Sequence, residues 1–132
     1  MSKDINKNLV GQPIFKQLIK LLPRDQFDIL VKQCKTDRYY KSFYSWDQLV
    51  VMLFGIFSRC DSMGEVCDGM RALAGKLNYL GMDSSPSKST AGDALRDRDN
   101  ELFMLYYFAL IEYFKPLLSV SRKEKISFEK FY

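Results

Sequence analysis

Ser62-Met63-Gly64-Glu65 and Gly81-Met82-Asp83-Ser84-Ser85-Pro86-Ser87-Lys88 bracket the stretch whose reading decides the fold. Serine followed three residues later by glutamate is the spacing of a capping box, in which hydroxyl and carboxylate each satisfy an orphan backbone N–H. A helix therefore starts at Ser62. The spacing predicts that it runs to about Tyr79, with Val66, Met70, Leu73, Leu77 and Leu80 on one face, and ends at Gly81, where a glycine accepts a left-handed conformation without strain. Gly69 and Gly75 inside it each cost about 1 kcal/mol relative to alanine, so close packing or a break near Gly75 is expected. After the corner Ser87 caps a second helix, Lys88 to Asp99. Its inward face is thin, Ala91, Ala94 and Leu95, and its outward face carries Lys88, Ser89, Gly92, Asp93 and Arg96. That is the layout of a helix-turn-helix, whose second helix enters a DNA major groove, and also of two amphipathic helices in any all-α domain. Charge does not separate the two readings. Lys88, Arg96 and Arg98 are offset by Asp93, Asp97 and Asp99, so this helix is formally neutral and phosphate affinity has to come mostly from elsewhere. Asp93 and Asp97 share a face, but with no histidine and no third converging acid they read as solvated neighbours of Arg96 and Arg98 rather than as metal ligands.

Working outward toward the N terminus, Ser45-Trp46-Asp47-Gln48 repeats the capping-box logic with glutamine in the reciprocal role. The helix it opens runs to about Arg59. Trp46, Leu49, Val50, Leu53, Phe54 and Phe57 line one face while Val51, Met52 and Ile56 fill much of the rest, and a helix apolar nearly all round belongs at the centre of a fold. Before it lies the most basic stretch: Lys32, Lys35, Arg38 and Lys41 against Asp37 alone. Tyr39, Tyr40, Phe43 and Tyr44 interleave with these charges. The mixture fits a surface that grips a nucleic-acid backbone with cations and packs sugars or bases with rings, and it fits a loop with rings pinned inward and charges left wet. Further back, Ile14, Phe15, Leu18, Ile19 and Leu22 recur at helical spacing with Pro13 in a first turn, and Pro23 opens a second short helix that turns Phe27, Leu30, Val31 and Cys34 inward. The two read as a helical hairpin preceded by a polar, loose segment over residues 1–11.

Toward the C terminus a long helix is expected from Asn100 to Leu118. Leu102, Tyr106, Ala109, Leu110, Tyr113 and Leu117 form one apolar stripe; Phe103, Tyr107, Phe108, Ile111 and Phe114 form a second. One stripe faces the domain and the other needs a partner, a second copy or a further domain. A basic segment, 121–125, follows. Ile126 and Phe128 then alternate with polar residues as a strand does, with no sheet to join, which suggests the first piece of a following domain.

Composition bounds the function. The chain has 132 residues, 47% hydrophobic with 19 aromatics, room for one domain with a sizeable core. A net charge of +4 permits a polyanionic partner without requiring one. The absence of histidine removes the usual acid-base residue, the commonest metal ligand and any histidine-type triad. Cys34, Cys60 and Cys67 form no C-x-x-C pair and read as buried thiols in a reducing cytoplasm. The longest apolar run, Leu49 to Phe57, is far short of a membrane span, and no secretory signal opens the chain.

Several motifs in one order are more specific than any of these patterns. Gly11-Gln12-Pro13-Ile14-Phe15, Lys35-Thr36-Asp37-Arg38-Tyr39, Ser45-Trp46-Asp47-Gln48-Leu49, Asp68-Gly69-Met70-Arg71, Leu77-Asn78-Tyr79-Leu80-Gly81 and Pro86-Ser87-Lys88-Ser89-Thr90 resemble the N-terminal region of bacterial insertion-sequence transposases of the insertion-sequence-4-like group, over about residues 8–122. The resemblance implies a small helical domain that recognises the element's terminal inverted repeats, ahead of a ribonuclease-H-like domain in which an Asp-Asp-Glu set holds two magnesium ions. It implies a nucleoid-associated, cytoplasmic protein, and candidate double-stranded DNA contacts at Lys88, Ser89, Thr90, Arg96 and Arg98, with Lys35, Arg38 and Lys41 anchoring phosphates beside the 122–125 cluster. Gly92 and Asp97 stand where the family pattern allows larger or more basic residues.

The expectation is thus an all-α, compact domain of about six helices containing a helix-turn-helix-like unit, with a strand-like C-terminal tail. Residues 1–122 form the helical domain, and 123–132 the start of a catalytic domain or a linker. No cofactor is expected in this portion, magnesium belonging to the missing catalytic domain, and no activity of its own. The alternative is an interaction module, in which the 100–118 helix dimerises the protein or braces the catalytic domain with little DNA contact.

Overall fold

The computed structural model describes residues 14–73 and 75–129, with side chains as far as Leu117. The reading of residues 1–11 as loose, Pro13 in a first turn, and the side chains of the 122–125 cluster lie outside the described residues. Those described form six α-helices and one 3-10 turn: α1 (residues 14–21), α2 (Arg24–Cys34), α3 (Ser45–Phe57), α4 (Met63–Ala72), the 3-10 turn Leu77–Leu80, α5 (Lys88–Asp97) and α6 (Glu101–Glu129). The all-α expectation holds.

Two packing groups meet at one aromatic junction. α3, α4 and α5 pack against each other, and α2 packs along α6. Phe27 of α2 is fully buried between them, edge-on to Trp46 of α3 at 5.4 Å and to Tyr106 of α6 at 4.8 Å. Burying one such ring contributes about 1.5–3 kcal/mol, before the further gain of edge-to-face contact. Both polar tips find acceptors: Trp46 Nε1 donates to the Leu80 carbonyl at 2.9 Å, and the Tyr106 hydroxyl to that of Pro23 at 3.2 Å. The first bond ties α3 to the 3-10 turn, and the second pins α6 to the start of α2.

The capping logic holds with shifts of one residue. Ser62 Oγ accepts from Glu65 N–H at 3.2 Å, but the Glu65 carboxylate reaches back to the N–H of Asp61 rather than of Ser62. At α3 the cap is Tyr44, not Ser45, and Asp47 rather than Gln48 answers it, accepting from Tyr44 N–H at 2.8 Å. Ser45 and Gln48 are thereby released for other work. The helix opened at Ser62 stops at Ala72 instead of reaching Tyr79. Gly75 sits at φ +84 and Gly81 at φ +79, with the 3-10 turn between them, so the break expected near Gly75 is what ends α4. Gly69 provides the close approach, since a methyl there would lie 2.8 Å from Phe54 Cε1.

Three expectations are corrected. α3 is fully buried only over its first half; Ile56 and Phe57 are exposed at its end, although the Phe57 ring still meets that of Phe15 at 5.9 Å. Leu95 is exposed while Ala91 and Ala94 are buried, so the inward face of α5 is narrower still. The alternation at Ile126 and Phe128 gives no strand. α6 continues through Glu129, since a helix satisfies its own backbone where a lone strand leaves every N–H and C=O without a ladder; the rest of the tail lies outside the described residues.

Candidate nucleic-acid interface

The connection from Lys35 to Tyr44 determines what the molecule presents. Lys35, Tyr39 and Phe43 all have positive φ, at 56°, 70° and 51°. For residues with a side chain this costs roughly 1–2 kcal/mol each, so something must hold the loop in shape. Arg98 does. Its Nε donates to the Thr36 carbonyl at 3.2 Å, Nη1 to Gln48 Oε1 at 2.7 Å and Nη2 to the Phe43 carbonyl at 2.8 Å, while the guanidinium lies 4.0 Å over the Tyr40 ring. Nη2 also stands 3.6 Å from Asp37 Oδ1. The same carboxylate oxygen accepts from the backbone N–H and the hydroxyl of Ser45, both at 2.6 Å. Burial lowers the pKa of Arg98 from its ordinary value, opposed by Tyr40, Asp37 and Asp47, and a guanidinium stays charged regardless.

This overturns the reading of Arg98 as a DNA contact. Its side chain has no exposed surface. It caps the end of α5 with extended backbone, φ −76 and ψ 134, which turns it under the loop. The signal was in the sequence: 91, 94 and 98 follow the helical spacing of the buried face. Net-charge counting concealed it.

The other candidates are exposed and fall into separate groups. Lys35 and Arg38 share a shallow depression with Val31, Lys32 and Asp37. Lys41 lines a cleft of about 270 Å³ with Tyr39 on the loop side and Thr90, Asp93 and Asp97 of α5 opposite. Lys88 and Ser89 are exposed at the start of α5, where Lys88 lies near Gly64 of α4. Ser87 Oγ accepts from Thr90 N–H at 3.1 Å, donates to Thr90 Oγ1 at 2.9 Å and is 3.2 Å from Ser89 Oγ, so all three hydroxyls belong to the cap. Arg96 is exposed but held between Asp93 at 3.2 Å and Asp97 at 2.9 Å. The hydrogen bond from Arg96 lowers the pKa of Asp97, and Asp97 raises that of Arg96 in return.

Asp37 changes the electrostatics most. Sequence counting set it against four cations, yet its carboxylate is turned inward to Ser45 and Arg98. The outer face of the loop therefore carries Lys35, Arg38 and Lys41, while Asp37, its side chain 27% exposed, still lines the depression shared by Lys32, Lys35 and Arg38. Among the described residues, no group of three or more cysteines and acids gathers as a metal site, and no helix is long and apolar enough to cross a membrane.

Fold and surface together define a small all-α domain with a clasped basic loop beside a three-helix unit. By its sequence over residues 10–83 the chain belongs to the family described as "Domain of unknown function (DUF4372)". No curated protein and no solved structure matches the chain.

Proposed function

We propose that this chain is the DNA-recognition domain at the N terminus of a DDE transposase of the insertion-sequence-4-like group, binding the terminal inverted repeats of its element. The family matched is one found at the N terminus of transposases, which supports the reading. The observation that carries it is the loop: three residues at positive φ and a buried arginine clasp hold a loop whose Lys35, Arg38 and Lys41 are exposed, Lys41 across a cleft from α5. In this reading the loop anchors phosphates, Lys88 adds a cation at the start of α5, and Ser89, Thr90 and Arg96 face the base edges. Arg96 must exchange its exposed ion pairs for a DNA contact, at little cost because both partners are solvated. Cleavage and strand transfer belong to a separate magnesium-dependent domain.

Fluorescence anisotropy with a labelled terminal repeat and a scrambled duplex, over a range of salt, tests the proposal. The repeat is expected to bind more tightly, and the Lys35→Ala, Arg38→Ala, Lys41→Ala triple variant to lose roughly 2 to 3 from the slope of log K against log salt. Equal affinity for both duplexes at physiological salt would refute it.

A second reading is favoured by α6. Leu102 and Tyr106 are buried, but Met104, Tyr107, Phe108, Ile111 and Tyr113 are exposed on the same helix, an apolar surface of the kind that contacts another protein. It makes the chain an interaction module that self-associates through α6. Sedimentation at several concentrations separates the two, since a strict monomer counts against the second.

A further inference from the structure

Tyr39 is 88% exposed and holds φ 70 at the tip of the clasped loop, with the Arg38 guanidinium 4.9 Å from its ring centroid. An aromatic ring placed so fully in water buries little apolar area for the fold, and its backbone conformation has to be enforced by its surroundings. The cleft it borders is two-sided in charge. Lys41 stands on the loop side, while Asp93, Asp97 and Thr90 line the α5 side. Both carboxylates also hold Arg96, at 3.2 and 2.9 Å, so a phosphate entering there meets acids as well as cations. A nucleobase finds a partner on each side: its face stacks on the ring, and an exocyclic amine donates to a carboxylate oxygen, as the amine of cytosine does to aspartate.

Resting on the reading of the chain as a DNA-binding domain, we propose that the cleft between Tyr39 and Asp93 captures an unstacked, amino-bearing nucleobase, adenine or cytosine, at a DNA end. Tyr39 is the stacking residue, Asp93 the amine acceptor, and Arg38 and Lys41 neutralise the flanking phosphates. Asp93 keeps its Oδ1 pair with Arg96 and offers its other oxygen to the amine.

The test uses the full chain with duplexes that are blunt or carry one unpaired nucleotide, C, A, T or abasic, on either strand. Cytosine and adenine overhangs should bind about five- to a hundredfold more tightly than the abasic one, with thymine between. Tyr39→Ala should erase the whole ranking, Tyr39→Phe should retain it, and Asp93→Asn should erase only the advantage of C and A over T. As a readout independent of any variant, 2-aminopurine at the unpaired position should be quenched by the wild-type chain. Binding to blunt and overhanging duplexes alike, with no quenching, would overturn the inference and leave recognition of the terminal repeat standing. Overhang capture without preference for the repeat would do the reverse, and no affinity for any duplex would end both.

Discussion

At the scale of single residues, Arg98 shows how one side chain changes meaning with its environment. A guanidinium with its donors spread over two carbonyls and an amide oxygen, and its charge beside a carboxylate, is a clasp that no other side chain reproduces. Arg98→Met should lower stability by about 2–4 kcal/mol in urea unfolding, because the two carbonyls and a partly buried Asp37 lose their partner, and Arg98→Lys should recover only part of it. Tyr106 gives a pH dependence. Burial raises its pKa from 10.0 to about 12, so the folded state holds the phenolic proton more tightly than the unfolded chain. Its stabilising contribution is complete below pH 10 and is lost as pH rises from 10 toward 12. Tyr106→Phe should flatten that alkaline decline in a series of thermal melts. Burial likewise pushes up the Cys67 thiol, so alkylation of Cys67 in the native protein should be slow and should accelerate on unfolding.

At the scale of elements, the helix glycines separate by surroundings rather than by propensity. Alanine gains about 1 kcal/mol over glycine within a helix. At Gly92 of α5 the added methyl meets nothing within 4 Å, so Gly92→Ala should stabilise by about 0.5–1 kcal/mol. At Gly69 of α4 it meets the Phe54 ring at 2.8 Å, and that ring already packs edge-on against Phe15. Gly69→Ala should therefore destabilise by about 1–2 kcal/mol, the clash outweighing the helix gain. Thermal unfolding of the pair, measured side by side, checks both signs. The same local logic explains the shifted caps. Tyr44 and Asp47 close the start of α3 so that Ser45 and Gln48 can serve the loop, a choice that helix-start spacing does not distinguish.

At the scale of the whole molecule, α6 extends beyond the body that its first turns help to build. If its outer face contacts a second copy, association should rise with protein concentration and fall when Ile111→Glu places a charge on it, while the melting temperature of the dilute protein stays nearly unchanged. Sedimentation velocity with parallel melts checks this. What the chain determined by itself is what short-range physics controls: the helical periods, the starts at Ser62 and Ser87, and Phe27 as core, whereas the end of α4 and the inward stripe of α6 stay open. What only the tertiary structure decided is where charge goes. Arg98 and Asp37 are two opposite charges in a running count, yet they meet from 61 positions apart, the arginine buried and the carboxylate partly so. That encounter turns one oxygen of Asp37 inward to Ser45 and Arg98. Spacing along a chain carries the directions of side chains on one helix, whereas the pairing of distant ions depends on how the helices close around them.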